Sequence, residues 1–366
     1  MRRFAAWLVG LLAVLTAAAF IFGQPIAWVQ AGLVIWDVAA GPAPTWWKDV
    51  TADPSKYTAR WNGEEGDVYT PGGKVRAAMV LVPGADMLGR DEPRLQALAR
   101  TFARAGFVVL VPELPAVRQL ALSRKDADHV AAAVRRLRAR QPGVRLGIAA
   151  VSYAVAPAII AALDTQPDFV LGIGGYHDSE SVIRFITTGA FRPAGEGRLF
   201  HVEPNRYGRW AFVLANAGRL DSPLDAHLLQ EIARRRFSDP DANVDRLAAK
   251  LGPQGHAVLA LVENRDPDAV GKLIEALPEN IRHEIDGLDL ALYDLSKLQG
   301  DLILVHGLGD PLVPYSESQD LAAAASNAHV SLFLVGDIGH VELRTVSLDN
   351  GLALWRAALA LLDERR

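Results

Sequence analysis

The sequence predicts an α/β fold: a mostly parallel sheet with helices on both faces, interrupted by an inserted helical cap. Three observations carry this expectation. Continuous apolar, β-branched runs alternate with amphipathic helical stretches, the pattern of strands buried on both faces. Residues 176–300 break that rhythm with charged helical stretches and no strand of comparable strength. One apolar run, beginning at Val144, passes without a loop through Ser152 into a small, Ala-rich helical segment.

At the N-terminal end, Met1-Arg2-Arg3 precedes nineteen uncharged residues, Phe4 to Phe22, about the length that crosses a bilayer. The two arginines favour a cytoplasmic N-terminus, with the rest of the chain delivered outside. Residues 1–40 are therefore expected to be a single uncleaved anchor in a bacterial-type inner membrane, with the catalytic part periplasmic. The alternatives are a signal peptide cleaved near Ala17-Ala18-Ala19, which would release a secreted protein, and a hairpin that returns the chain to the cytoplasm. In the hairpin, the second apolar run, Ile26 to Trp36, would be the other arm. That run also suits an interfacial helix at the headgroups.

Residues 41–56, with three prolines, read as a linker. Residues 57–175 read as the first part of the core. They open with two short strands around Asn62-Gly63 and continue with strands at Arg76–Gly84, Phe107–Leu114, Val144–Val151 and Pro167–Tyr176. Helices at Asp91–Gly106 and Asp126–Arg140 lie between them. Residues 301–366 resume the alternation with DLILVHG, HVSLFLVG and a closing helix.

At 366 residues and 39.5 kDa, half of it hydrophobic, the chain can bury a large core. With 38 basic against 42 acidic residues it has no electrostatic reason to bind nucleic acid. The absence of cysteine excludes disulfides, zinc–thiolate sites and a thiol nucleophile. Oligomeric state is left open.

Ser152 sits in Ala150-Val151-Ser152-Tyr153-Ala154. A hydroxyl forced into a tight strand-to-helix corner projects from the carboxyl end of the sheet, where backbone N–H groups can hold an oxyanion. An activated serine needs a base and a carboxylate to orient that base. Asp310 comes after the strand DLILVHG, and His340 comes after the next strand, both on loops at the sheet's carboxyl edge. The chain order Ser, Asp, His and the small-x-Ser-x-small corner resemble the α/β-hydrolase family, with alanine in place of both elbow glycines.

That resemblance covers about Tyr57 to Leu362. It implies an eight-stranded sheet, no cofactor or metal, and acyl transfer to water through an acyl-serine. It also implies an oxyanion hole from the N–H groups of Tyr153 and of Ala85. Ala85 lies in LVPGAD, where Pro83 stands in place of the family's usual histidine. The function expected is a carboxylic ester hydrolase, esterase- or lipase-like, acting on a small ester or lipid-like substrate. Alternatives on the same machinery are an acyltransferase or a peptidase. A membrane-tethered binding protein that keeps the fold without catalysis is a different class. Dehalogenase and epoxide-hydrolase chemistry needs a carboxylate where this chain has Ser152.

His177, at the catalytic edge, and Met87, after the first parallel strand, are candidates for the substrate pocket. His306 reads as packing beside its strand end, Asp337 as turn chemistry, and Glu113 as either a salt link or a substrate contact. Arg234-Arg235-Arg236 reads as a solvated helix face before an anionic-lipid contact. Gly172, Gly174 and Gly175 lack nucleotide-loop spacing and read as close packing.

Overall fold

The computed structural model describes residues 25–119, 121, 123–336, 338–339, 342–343 and 348–366. The strands are β1 (Ser55–Trp61), β2 (Glu64–Thr70), β3 (Ala77–Val82), β4 (Phe107–Pro112), β5 (Arg145–Val151), β6 (Phe169–Ile173), β7 (Ala190–Phe191), β8 (Phe200–His201), β9 (Asp301–Gly307), β10 (His329–Val335), β11 (Ile338–Gly339) and β12 (Glu342–Leu343). Eight of them form one sheet in the order β1-β2-β4-β3-β5-β6-β9-β10. β1 and β2 are antiparallel about the Asn62-Gly63 turn, whose φ angles are +46° and +84°. β2 is also antiparallel to β4, and the remaining pairs are parallel.

Alternation along each strand builds two cores. Ala78, Val80, Val82, Ile148 and Ala150 face α4 (Asp126–Arg140) and α5 (Val155–Thr165). Met79, Leu81, Phe107, Phe169 and Ile303 face the other way. There they meet α1 (Pro25–Ala40), α3 (Pro93–Arg104) and the last helix, α14 (Leu348–Asp363). A short helix, α2 (Trp46–Val50), adds Trp47 to that second core.

α1 covers the second apolar run and is docked against the second core of the sheet. Ala31 and Val34 are buried. Gly32 lies so close to Trp355 that a Cβ there would be 2.4 Å from the indole. Asp37, fully buried, accepts from the hydroxyls of Thr45 and Thr101, both at 2.7 Å. A buried carboxylate with dedicated hydroxyl donors is an internal fixture, since its burial unpartnered would be costly. No helix among the described residues is long and apolar enough to cross a membrane. The expected anchor run, Phe4–Phe22, lies outside the described residues.

Between β6 and β9 the chain forms α6 (Ser179–Thr188), α7 (Gly208–Asn216), α8 (Pro223–Ser238), α9 (Asp245–Ala248), α10 (Pro253–Glu263), α11 (Val270–Glu275) and α12 (Glu279–Gly287). These helices share a core of their own around Trp210, Leu229, Ile232 and Val262. α13 (Ser316–Ala324) returns the chain to the sheet.

Candidate active site

Strand register brings together the loops that carry the candidate residues. Val151 pairs with Ile173, Ile173 with Val305, and Val305 with Phe333. The loops after β5, β6, β9 and β10 therefore leave one edge, each about 4.8 Å from the next.

Ser152 succeeds β5 directly with φ +57°, in the left-handed region. Among the described residues two other non-glycines share that region, Asn62 in a hairpin turn and Gln166 at the end of α5. Both are turn positions where it is common. For Ser152 it costs of order 1–2 kcal/mol, and the surrounding packing must hold it. Ala150 and Ala154, the side chains flanking the corner, are buried to 1% and 0% exposure. Such strain, retained at a reactive side chain, is characteristic of functional sites.

Tyr153 is held from behind. Its hydroxyl donates to the Asp126 carboxylate and accepts from the Ser123 N–H at 3.2 Å. Burial pushes the Asp126 carboxyl above its ordinary value, and the tyrosine hydroxyl opposes that shift. The same turn is gripped from the cap. Glu284 on α12 accepts from the Arg124 N–H at 3.0 Å and the Ser123 hydroxyl at 3.4 Å, and pairs with Arg219 at 2.8 Å. Cap, α4 and the residue after Ser152 thus share one hydrogen-bond network. The sequence does not single out Asp126 or Glu284, because their partners are distant in the chain; the acid opening α4 is the one local signal.

Asp310 is buried at the loop after β9. Its Oδ1 accepts from the N–H groups of Leu312 (2.8 Å) and Val313 (3.0 Å), which fixes the carboxylate. A Cβ added to Gly174 would lie 3.5 Å from Asp310 Oδ2, so the acid sits over the end of β6. His306 is fully buried, with Nδ1 at 2.6 Å from Ser318 Oγ and Nε2 at 3.0 Å from the Val313 carbonyl. Its second nitrogen is 3.7 Å from Asp310 Oδ2. Both ring nitrogens are committed to the fold, which suits packing beside the strand end. His340 and Asp337 lie outside the described residues.

A cavity of about 340 Å³ separates this edge from the cap. Ser152, Tyr153, Ala85 and Leu312 line it from below; apolar cap residues such as Ile183, Phe212 and Ile281 line it from above. His177 belongs elsewhere: it lines a separate, more polar cleft of about 1050 Å³ with Asp178, Arg184 and Asp320. Met87 is 67% exposed and is not among the residues lining the cavity. The expectation for both rested on loops that leave the correct edge, yet a loop position does not fix a side chain's direction.

Glu113 is a salt-link residue, facing Arg118 at 2.5 Å and Arg90 at 2.9 Å. Arg234 and Arg235 pair with Glu231 on their own helix face. Gly175 admits Val155 of α5 so closely that a Cβ would be 2.5 Å from Val155 Cγ1. Among the described residues no cluster of His, Asp and Glu could hold a metal ion.

No family model matches the sequence, and no curated protein matches it. Solved structures of similar fold include an α/β-hydrolase superfamily protein from Enterococcus faecalis, 17% identical over 85% of this chain and 99% of that one, with a TM-score of 0.46. Est1E from Butyrivibrio proteoclasticus is 13% identical over 84% of this chain and 98% of that one, with a TM-score of 0.44. An acylaminoacyl peptidase from Pyrococcus horikoshii is 12% identical over 80% of this chain, with a TM-score of 0.45, and this chain spans 38% of its length. By strand order, layering and the position of its cap, the chain has the α/β-hydrolase fold.

Proposed function

We propose that the protein is a serine hydrolase that cleaves a carboxylic ester through an acyl-serine. The observation that carries this reading is Ser152 at φ +57° between β5 and α5, lining a mainly apolar cavity beneath the cap. In the reaction, His340 takes the hydroxyl proton as Ser152 Oγ attacks the carbonyl carbon. The N–H groups of Tyr153 and Ala85 hold the oxyanion, and Asp310 orients the imidazole and balances its charge. Collapse of the tetrahedral intermediate breaks the acyl–oxygen bond, and the imidazolium returns the proton to the departing alkoxide. Water, deprotonated by His340, then releases the acid and regenerates Ser152.

The cavity's apolar lining supports an acyl or alkyl chain as the bound part of the substrate. An amide would be cleaved by the same steps, and an alcohol in place of water would give acyl transfer. A fluorophosphonate probe should label wild-type protein at Ser152, and labelling should vanish in Ser152→Ala and His340→Ala. Folded protein that takes up no probe overturns the reading. Initial rates on matched ester, amide and ester-plus-alcohol reactions then rank the three chemistries, with the ester expected fastest.

A further inference from the structure

Among the described residues two charged ones line the Ser152 cavity, Glu284 and Arg209. Glu284 is neutralised within the cap: it pairs with Arg219 at 2.8 Å and accepts from the Arg124 N–H and the Ser123 hydroxyl. Arg209 is different. It is 8% exposed, and its Nε and Nη1 are enclosed without a hydrogen-bond partner. A buried guanidinium normally finds a carboxylate, because leaving it unpaired forfeits its hydration with nothing in exchange.

Among the described residues its surroundings do not supply that partner. Arg206, Arg236 and Arg265 add charge of the same sign, and Glu263, the acid that opposes them, also faces Arg236 at 3.8 Å. Burial lowers the Arg209 guanidinium to about 10, so it remains cationic at neutral pH. Its position is tied to the catalytic edge. Arg209 lies in the first turn of α7, and the preceding Gly208 abuts Leu312, two residues beyond Asp310; a Cβ on Gly208 would be 2.7 Å from Leu312 Cδ2.

We propose that Arg209 is the specificity residue of this site and selects substrates whose apolar acyl chain ends in a carboxylate, such as half-esters of aliphatic dicarboxylic acids. The inference rests on the serine-hydrolase reading for its chemistry, though not for its binding. A carboxylate delivered along the apolar wall would give Arg209 the charge-assisted partner that the fold withholds. A neutral chain of the same length would fill the cavity and leave the arginine unpaired.

The test separates binding from turnover. Ser152→Ala protein is titrated calorimetrically with monomethyl esters of dicarboxylic acids of four to ten carbons and with the methyl esters of the matching monocarboxylic acids. At the best length the half-ester should bind about tenfold to a hundredfold more tightly, as expected for a charge-assisted hydrogen bond to a largely buried cation. Adding Arg209→Met should bring the ratio near one, and Arg209→Lys should restore part of it. Equal or weaker binding of the half-esters by Ser152→Ala overturns the proposal, whether or not the wild type turns esters over. A ratio that survives Arg209→Met overturns it as well. Turnover by the wild type, measured separately, bears on the hydrolase reading alone.

Discussion

Replacing Tyr153 by phenylalanine removes one oxygen and tests whether the strained serine corner is held from behind. The lost hydroxyl donates to Asp126, which is 1% exposed, and accepts from the Ser123 N–H. Each buried polar group left without its partner costs about 1–3 kcal/mol. Once proton uptake by Asp126 is allowed for, the loss should be about 2–4 kcal/mol at pH 7. The pH dependence gives a second readout. The Asp126 carboxyl already titrates above its ordinary 3.8 through burial, and the tyrosine bond is the largest influence opposing that rise. Without the bond its folded-state value climbs further. A carboxyl raised by folding contributes most favourably below its unfolded value and loses that contribution as pH rises through the folded one. The deficit of Tyr153→Phe against wild type should therefore be full at pH 7–8 and smaller near about pH 4. Urea unfolding at both pH values measures it, and Asp126→Asn, which keeps an acceptor and discards the charge, should be the milder change at pH 7. A Tyr153→Phe protein within about 0.5 kcal/mol of wild type at pH 7, or with the same deficit at both pH values, refutes the reasoning.

Two other groups give further expected outcomes. Asp310→Asn should leave the fold intact, because an amide oxygen still accepts from Leu312 and Val313, while ester turnover falls by about a thousandfold to ten-thousandfold; a loss under about tenfold removes Asp310 from the orienting role. Glu317, fully buried on α13, accepts from the His177 and Asp178 N–H groups, and burial raises it to about 7 from an ordinary 4.5. Its contribution to stability is present below about 4.5 and lost as pH rises through about 7. Glu317→Gln, which keeps the acceptor, should flatten the fall in urea midpoint between pH 5 and 8; an unchanged fall refutes that assignment.

The parallel strands are legible in the sequence because burial on both faces forces uninterrupted apolar runs, and Ser152 is legible because no loop separates its strand from its helix. The network behind it is not. Asp126, Glu284 and Arg219 look like any surface charge until folding brings them to one turn, and Arg209 is an unremarkable cap arginine until its surroundings are known. Ile26–Trp36 misleads for a different reason: a helix buried against a sheet and a helix buried in lipid need the same apolar residues. What separates them here is Asp37, whose hydroxyl partners Thr45 and Thr101 come from two other segments.

The docking of α1 has a consequence for how the protein is made. Gly32 lies under Trp355, and Arg365 donates to the Ala105 carbonyl and to Gln30, a residue 335 positions earlier. The first described helix thus shares its resting place with the last. A ribosome releases α14 only after every strand of the main sheet has been made. Until then the part of that sheet face formed by β9 and β10, with Ile303, Val305 and Val335, waits for its cover. A chain stopped short of α14 would therefore expose that apolar patch at the β9–β10 end of the sheet.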